Sequence, residues 1–342
     1  MKKFFLFLFL IFFCTNIFAS PIKEVVFFGD SLSDDGNLYR YLKILPKSPP
    51  YYLGRFSNGP TWAEYIGNYY YQKSFASYSN YAYGGATAIL HHLRTDSFIA
   101  PVLLSEEIES YLLHSKNKDK SQTVYGLWIG ANDYLYERME DIDLLTDQVV
   151  QKMMWAVTTV LNSGGKRFFI LNLPDLSQIP FAHNNNMEER LGRLSRLHNQ
   201  KLDAAVKNLR VQYPNAEFIY VDVYNIFLDI LKNPDVYNQE YGTHITNLTG
   251  SCWMGDMLGR DKSEVMKALS ENHIGTILGK NIELNNLSEM ILANPTFKNA
   301  YSQNDNLEPC SNPDDYLFWD DMHPTAVIHK VLGKIIVSTL GE

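Results

Sequence analysis

The sequence contains few cysteines and no excess of positive charge. Only 3 of its 342 residues are cysteine, and 38 Asp and Glu residues outnumber 30 Lys and Arg residues, which gives a formal net charge of −8. Because a nucleic-acid partner requires clustered Lys and Arg, this balance argues against nucleic acid. The cysteines form no Cys-x-x-Cys motif, and no paired-histidine spacing accompanies them. We therefore predict neither a metal site nor a bound cofactor.

Long hydrophobic runs are also missing, except at the amino terminus. Lys2 and Lys3 precede an unbroken apolar stretch, residues 4–13, and a small-residue cleavage site follows it. This stretch is too short to span a bilayer and has the form of a secretory signal peptide, residues 1–19. The sequence thus predicts an exported protein, periplasmic or extracellular, whose residues 20–342 form a single domain.

Two cysteines remain once the signal peptide, which contains Cys14, is set aside. Exported compartments are oxidising, so the simplest interpretation is a disulfide between Cys252 and Cys310, with two unpaired thiols as the alternative. Both lie in a stretch rich in Asn, Gly and Pro, at about 233–315. We interpret this stretch as a loop-rich insertion closed by the disulfide rather than as a second domain.

Four short apolar runs rich in Val, Ile and Phe are typical of buried strands. Their continuous apolar character favours parallel strands that are covered on both faces. Apolar positions repeat every three or four residues in two of the intervals, which indicates amphipathic helices. Strands that alternate with helices predict an α/β fold with a parallel sheet. The predicted strands are 25–29, 124–130, 167–173 and 217–223, and the predicted helices are 142–161 and 187–211.

The stretch GDSLSD, residues 29–34, directly follows the first apolar run. A strand that ends at Gly29 would place the Ser31 hydroxyl at the carboxyl edge of the sheet, where open α/β folds bind their ligands. An EF-hand calcium loop is a poor fit because Leu42 occupies the position at which that loop needs a glutamate. By itself the stretch is equally consistent with an ordinary turn.

A serine nucleophile needs a general base and a carboxylate that orients the base. Both residue types stand close together near the carboxyl terminus, as Asp320 and His323 in DDMHP. Their spacing of three allows a local turn to bring the carboxylate to the imidazole. We expect Pro324 to open the final helix. The alternative for His323 is a surface histidine near a helix start.

Two further stretches could supply donors to a developing negative charge. The stretch NYAYGGATA contains Gly84 and Gly85, whose backbone amides have no side chain to obstruct them. The stretch WIGANDY places the side-chain amide of Asn132 just past an apolar strand. Each stretch alone is also consistent with a plain turn between a strand and a loop.

Together these stretches resemble the four sequence blocks of the GDSL, or SGNH, hydrolases. GDSLSD, the glycine pair in YAYGGATA, GAND at 130–133 and DDMH at 320–323 occur in that family's order. The resemblance implies a three-layer α/β/α, flavodoxin-like fold with a mostly parallel central sheet.

The resemblance also implies a role for each matched residue. Ser31 would be the nucleophile, with Asp320 and His323 as the other members of a catalytic triad. The oxyanion hole would consist of the Ser31 amide, Gly85 and Asn132. Asp30 and Asp34 match the first block, and we interpret them as turn and helix-start residues without acid or base duty.

Within the family, the sequence is similar to bacterial secreted lipases and glycerophospholipid:cholesterol acyltransferases. This similarity implies a serine esterase that hydrolyses acyl esters of phospholipids or lysophospholipids, with a sterol as a further acyl acceptor. It also implies transient contact with a membrane surface and an activating protease that cuts within the disulfide loop. The aromatic stretch YYLGRF, residues 51–56, would suit an acyl-binding groove or an interfacial surface, or simply the core.

Two alternatives remain open at this point. The same catalytic set would serve an esterase acting on acetylated carbohydrates or other short-chain acyl esters. The same fold would also serve a catalytically inactive secreted binding protein.

Overall fold

The computed structural model describes residues 21–43, 45–90, 102–136, 139–255, 257, 276–277, 280–281 and 307–339. The predicted signal peptide lies outside these residues, as does most of the interior of the disulfide loop. Among the described helices, none is both long and apolar enough to cross a membrane.

A five-stranded sheet with all neighbours parallel forms the centre of the fold. Its strand order is β2-β1-β3-β4-β5, and every residue of the adjacent strands β1 and β3 is buried. The four strands predicted from apolar runs are confirmed. The strands are β1 (Glu24–Gly29), β2 (Ser77–Asn80), β3 (Thr123–Trp128), β4 (Arg167–Leu171) and β5 (Glu217–Val221).

Helices cover both faces of this sheet. The ring of Phe27 meets Trp62 on one face at 5.2 Å, whereas the next residue, Phe28, meets Tyr111 on the other face at 5.6 Å. The described helices are α1 (Asn37–Leu42), α2 (Trp62–Ser74), α3 (Leu104–His114), α4 (Ala131–Tyr136), α5 (Ile142–Asn162), α6 (Pro180–Asn184), α7 (Glu188–Gln212), α8 (Val223–Lys232), α9 (Pro234–Tyr241) and α10 (Ala326–Thr339).

The helices form two packed groups, one on each face. Helix α2, which carries Trp62, packs against α10, and α5 packs against both α3 and α7. The predicted three-layer α/β/α architecture is therefore confirmed. Both predicted helices are present as α5 and α7, and each ends within one residue of its predicted carboxyl end.

The insertion begins with regular structure that the sequence analysis did not predict. Helix α9 lies within it, and β6 (Asn247–Ser251) pairs in parallel with β9 (Tyr316–Phe318), just before the turn that contains Asp320 and His323. Cys252 and Cys310 form a disulfide with their Cα atoms 4.9 Å apart. A short antiparallel pair, β7 (Thr276–Ile277) and β8 (Lys280–Asn281), lies within the loop that the disulfide closes.

The expectation that Pro324 opens the final helix is wrong. Helix α10 begins at Ala326, and Pro324 instead forms an isolated β-bridge with Phe318. The chain folds back on β9 at this point, since the Thr325 amide donates to the Leu317 carbonyl at 3.0 Å. This pairing keeps the backbone extended until the helix starts.

Candidate active site

The end of β1 positions Ser31. Gly29 has a φ of +145°, and a Cβ at this residue would lie 2.1 Å from the carbonyl oxygen of Trp128 on β3, so only glycine fits. The amides of Ser33 and Asp34 then both donate to the carbonyl of Asp30, at 2.9 and 3.0 Å, which closes a tight turn. Ser31 therefore sits directly beyond the carboxyl end of β1.

The structure brings Ser31, His323 and Asp320 into one hydrogen-bonded array. Nε2 of His323 lies 2.8 Å from Oγ of Ser31, although the two residues are 292 positions apart in the chain. Nδ1 of His323 lies 2.8 Å from Oδ2 and 2.9 Å from Oδ1 of Asp320. All three side chains are buried. This order of contacts allows the imidazole to accept the serine proton while the carboxylate faces its other nitrogen.

A local turn holds the carboxylate of Asp320. Its Oδ1 accepts the backbone N–H groups of Met322 at 2.9 Å and His323 at 2.8 Å. Its Oδ2 accepts the hydroxyl of Tyr51 at 2.7 Å. Burial alone would raise the pKa of Asp320, but His323, the Met322 amide and the Tyr51 hydroxyl together outweigh burial and lower it. Asp320 is therefore ionised at neutral pH.

Two carboxyl groups hold the glycine loop that follows β2. Oδ2 of Asp34 accepts the Gly84 amide at 2.7 Å, and the same carboxyl accepts amides at the start of α1. Asp133 accepts the amides of Ala88 at 2.9 Å and Ile89 at 3.0 Å. Because the Gly84 amide is already donated to Asp34, the amide of Gly85 is the better candidate donor to a substrate. Gly85 itself has a φ of +78°, which favours glycine.

The side chain of Asn132 lies on the same side of the sheet, at the start of α4. Its Nδ2 donates to the carbonyl of Ala86 at 2.9 Å, so the loop that carries Gly85 also orients this amide. One N–H of the amide is used in that bond, and the second can donate to a developing oxyanion. Asn132 is 4% exposed, which keeps competing water away from it.

Glu107, which no sequence pattern indicates, contacts the end of β1 two residues before Ser31. Its Oε2 accepts the amide of Gly29 at 2.9 Å, so α3 is tied to the end of β1. Burial raises the pKa of Glu107 well above its ordinary range, and burial also raises the pKa of the neighbouring Asp30 to about 7. Burial therefore favours the protonated, neutral form of Glu107.

An apolar pocket opens beside Ser31 and His323. It touches Ser31, Asn132 and His323 and occupies about 540 Å³, counting its mouth to solvent. A pocket with one polar end and apolar walls suits an acyl chain whose ester carbonyl lies at the serine. Its walls include Leu32, Trp128, Leu135, Pro174, Leu176, Ile179, Phe227, Phe318 and Met322.

The residues of YYLGRF do not line this pocket. Tyr51 lies behind the array, on Asp320, and the ring of Phe56 lies 5.2 Å from the ring of His323. Tyr51 instead borders a second pocket, together with Trp253, Met254 and Asp320. In the described ranges, no group of three or more His, Cys, Asp or Glu side chains is arranged to hold a metal ion.

The protein has a parallel sheet between two layers of helices, and hydrogen-bonded serine, histidine and aspartate side chains lie at the carboxyl edge of that sheet. These features define a hydrolase of the SGNH fold. The chain belongs to the GDSL-like lipase/acylhydrolase family, because the model of that family matches residues 25–336. It is a carboxylic ester hydrolase.

The chain is similar to several individual proteins over different shares of its length. The chain is 30% identical to a phosphatidylcholine-sterol acyltransferase of Aeromonas hydrophila over 91% of its own length and 88% of the relative's length. It is 26% identical to the secreted effector protein SseJ of Salmonella typhimurium, over 64% of this chain and 51% of that protein. A solved structure of Est24, a carbohydrate acetylesterase from Sinorhizobium meliloti, matches 58% of this chain and 83% of its own at 15% identity, with a TM-score of 0.40.

Proposed function

We propose that the protein is an exported serine esterase that releases acyl chains from phospholipids or lysophospholipids. The observation that carries the proposal is the buried array of Ser31, His323 and Asp320 at the mouth of an apolar pocket. A relative that matches most of the chain acts, by its name, on phosphatidylcholine and a sterol, which supports a lipid ester as substrate.

The reaction starts when Oγ of Ser31 attacks the ester carbonyl carbon and Nε2 of His323 takes the hydroxyl proton. Asp320 stabilises the imidazolium that forms, and the amides of Ser31, Gly85 and Asn132 stabilise the tetrahedral oxyanion. The oxyanion then collapses, the ester C–O bond breaks, and His323 gives its proton to the leaving alcohol. An acyl group remains on Ser31.

The acyl-enzyme is released by the reverse sequence. A water molecule loses its proton to His323 as its oxygen attacks the acyl carbonyl, and the proton returns to Ser31 when the free fatty acid leaves. A sterol hydroxyl in place of water would give a sterol ester by the same steps. Transfer to a sterol is therefore a second outcome at the same site.

Export and processing belong to the same proposal. The signal-like residues 1–19, together with the disulfide between Cys252 and Cys310, support an oxidising, exported location. The loop between these cysteines is the segment in which an activating protease would cut. The substrate would then be met at a membrane surface.

The test is lipid analysis after incubation of the purified protein with defined phospholipid and lysophospholipid, with and without sterol, before and after limited proteolysis. We expect free fatty acid in every active sample and none with Ser31→Ala. A series of p-nitrophenyl esters provides the control for chain length. Cleavage restricted to acetyl esters, with no fatty acid released from any lipid, would reject the lipid substrate and favour a short-chain esterase.

A further inference from the structure

Besides Nδ1 of His323, the hydroxyl of Tyr51 is a side-chain donor to the carboxylate of Asp320, at 2.7 Å from Oδ2. Two backbone amides, those of Met322 and His323, reach Oδ1. Tyr51 is 2% exposed, and its hydroxyl is therefore largely shielded from bulk solvent. A hydrogen bond between a buried neutral donor and an ionised acceptor is among the stronger ones in proteins.

The ring of Tyr51 is fixed by its neighbours. It packs edge-on against Trp319 with ring centroids 6.0 Å apart, and against Phe56 at 6.4 Å. Phe56 in turn lies against His323. One short segment therefore supports the carboxylate through a hydroxyl and the imidazole through an aromatic ring.

We propose that Tyr51 is a positioning residue for the reaction: its hydroxyl fixes the Asp320 carboxylate and limits the negative charge that this carboxylate presents to His323. The inference rests on the proposed catalytic roles of Ser31, Asp320 and His323, but not on the identity of the substrate.

The Tyr51 hydroxyl affects both the orientation and the charge of the Asp320 carboxylate. Both oxygens of Asp320 lie within 2.9 Å of Nδ1 of His323, so rotation of the carboxylate would change which oxygen accepts the proton. Tyr51 holds Oδ2 in place. Its hydroxyl also draws negative charge away from the carboxylate, so losing it should favour the protonated imidazole, which cannot act as a base.

Other ionisable groups also face this array. Asp30 interacts electrostatically with His323 from the β1 side, and His329 does so from α10, where burial lowers the pKa of His329 to about 3. The substitution Tyr51→Phe alters neither Asp30 nor His329. Removing the Tyr51 hydroxyl therefore tests its own effect on His323 while these two groups stay in place.

The first variant is Tyr51→Phe, assayed on a p-nitrophenyl ester with active sites counted by fluorophosphonate titration. We expect kcat per active site to fall about tenfold, equivalent to ~1.4 kcal/mol, with KM nearly unchanged. The acid limb of kcat/KM against pH should move to higher pH. A purely structural role would lower the number of active sites without moving that limb.

The matched control is Tyr111→Phe. Tyr111 is also buried, and its hydroxyl lies 2.7 Å from the hydroxyl of Tyr125, away from the array. This variant also loses one buried hydroxyl, so it should show a comparable loss of thermal stability. Its kcat per active site and its acid limb should match those of the wild type.

A second variant protects the test against a failure of Tyr51→Phe to fold. Incorporating 3-fluorotyrosine at position 51 keeps the ring and the hydroxyl but makes the phenol a stronger donor, so the acid limb should move to lower pH. In an Asp320→Ala background, Tyr51→Phe should cause no further loss of kcat, because its target is gone.

The outcomes separate the two proposals. Full activity of Ser31→Ala would overturn the assignment of the catalytic serine itself. Loss of activity in Ser31→Ala, combined with acid limbs that superimpose on the wild type in both Tyr51 variants, would overturn only the role of Tyr51. Opposite shifts of the acid limb in the two Tyr51 variants would support it.

Discussion

Replacing Asn132 with alanine should lower kcat strongly while leaving KM nearly unchanged. The Asn132 amide lies at the start of α4, is 4% exposed, and is oriented by a hydrogen bond of 2.9 Å to the Ala86 carbonyl. Its second N–H is the proposed donor to the oxyanion. Because that oxygen carries a full charge only in the tetrahedral state, the lost contact affects the barrier more than substrate binding.

Asn132→Ala should have two costs, one in the activation barrier and one in the free energy of unfolding, and each appears in a different measurement. Removing one oxyanion donor typically costs about 3–4 kcal/mol in the barrier, or about 10²–10³ in kcat. The same change leaves the buried carbonyl of Ala86 without this donor, which should cost about 1–3 kcal/mol in the free energy of unfolding. The first cost appears as slow turnover of folded enzyme, and the second as a lower unfolding midpoint.

The assay therefore combines kcat per titrated active site with a urea unfolding curve for each variant. Asn238→Ala is the matched control, since the amide of this half-buried asparagine donates to the Ile245 carbonyl at 2.9 Å outside the pocket lining. It should lower the unfolding midpoint but not kcat. Near-wild-type turnover of folded Asn132→Ala, or an equal fall in kcat for Asn238→Ala, would refute the oxyanion role.

The remaining predictions concern Gly29 and Glu107, which support the end of β1 just before Ser31. Gly29→Ala should cost at least about 2 kcal/mol in stability, because its Cβ would lie 2.1 Å from the Trp128 carbonyl at a φ of +145°. Gly242→Ala, at a φ of +65° with no atom within 4 Å, should cost only about 1 kcal/mol; equal unfolding midpoints would contradict this. Burial raises the pKa of Glu107 above its ordinary 4.5, so the contribution of this group to stability should fall as pH rises from 4.5. Glu107→Gln cannot ionise, so its stability relative to the wild type should rise between pH 5 and pH 8 in urea unfolding, whereas a constant difference would count against a raised pKa of Glu107.

The interior of the fold could be predicted because its strands are buried on both faces. Strands β1 and β3 are wholly buried, and burial on both faces requires the continuous apolar runs that the sequence displays. The edge strand β2, with the sequence SYSN, has one exposed and three half-buried residues, so no apolar run marks it. The final helix begins at Ala326 rather than at Pro324, because pairing with β9 overrides the preference of Pro324 for the first position of a helix.

The site was predictable only where its contacts are local or its family blocks are distinctive. The turn that joins Asp320 to His323 spans three residues and follows from their spacing. The contact between Tyr51 and Asp320 spans 269 residues, and that between Glu107 and Gly29 spans 78. No local pattern encodes such distant pairs, so a lone tyrosine or glutamate carries no signal of them in the sequence.

These contacts assign a structural role to the acidic residues of the family-like sequence blocks. Beyond the carboxyl ends of the strands the loops have no ladder of backbone hydrogen bonds, and their buried amides still need acceptors. Carboxyl groups supply these acceptors. Asp34 accepts the amide of Gly84, and Asp133 accepts the amides of Ala88 and Ile89. The Gly85 amide lies between these two anchors. Asp34 and Asp133, which follow Ser31 and Asn132 in the chain, therefore orient the proposed oxyanion donors. These contacts explain how a loop without regular structure can hold the donors in place.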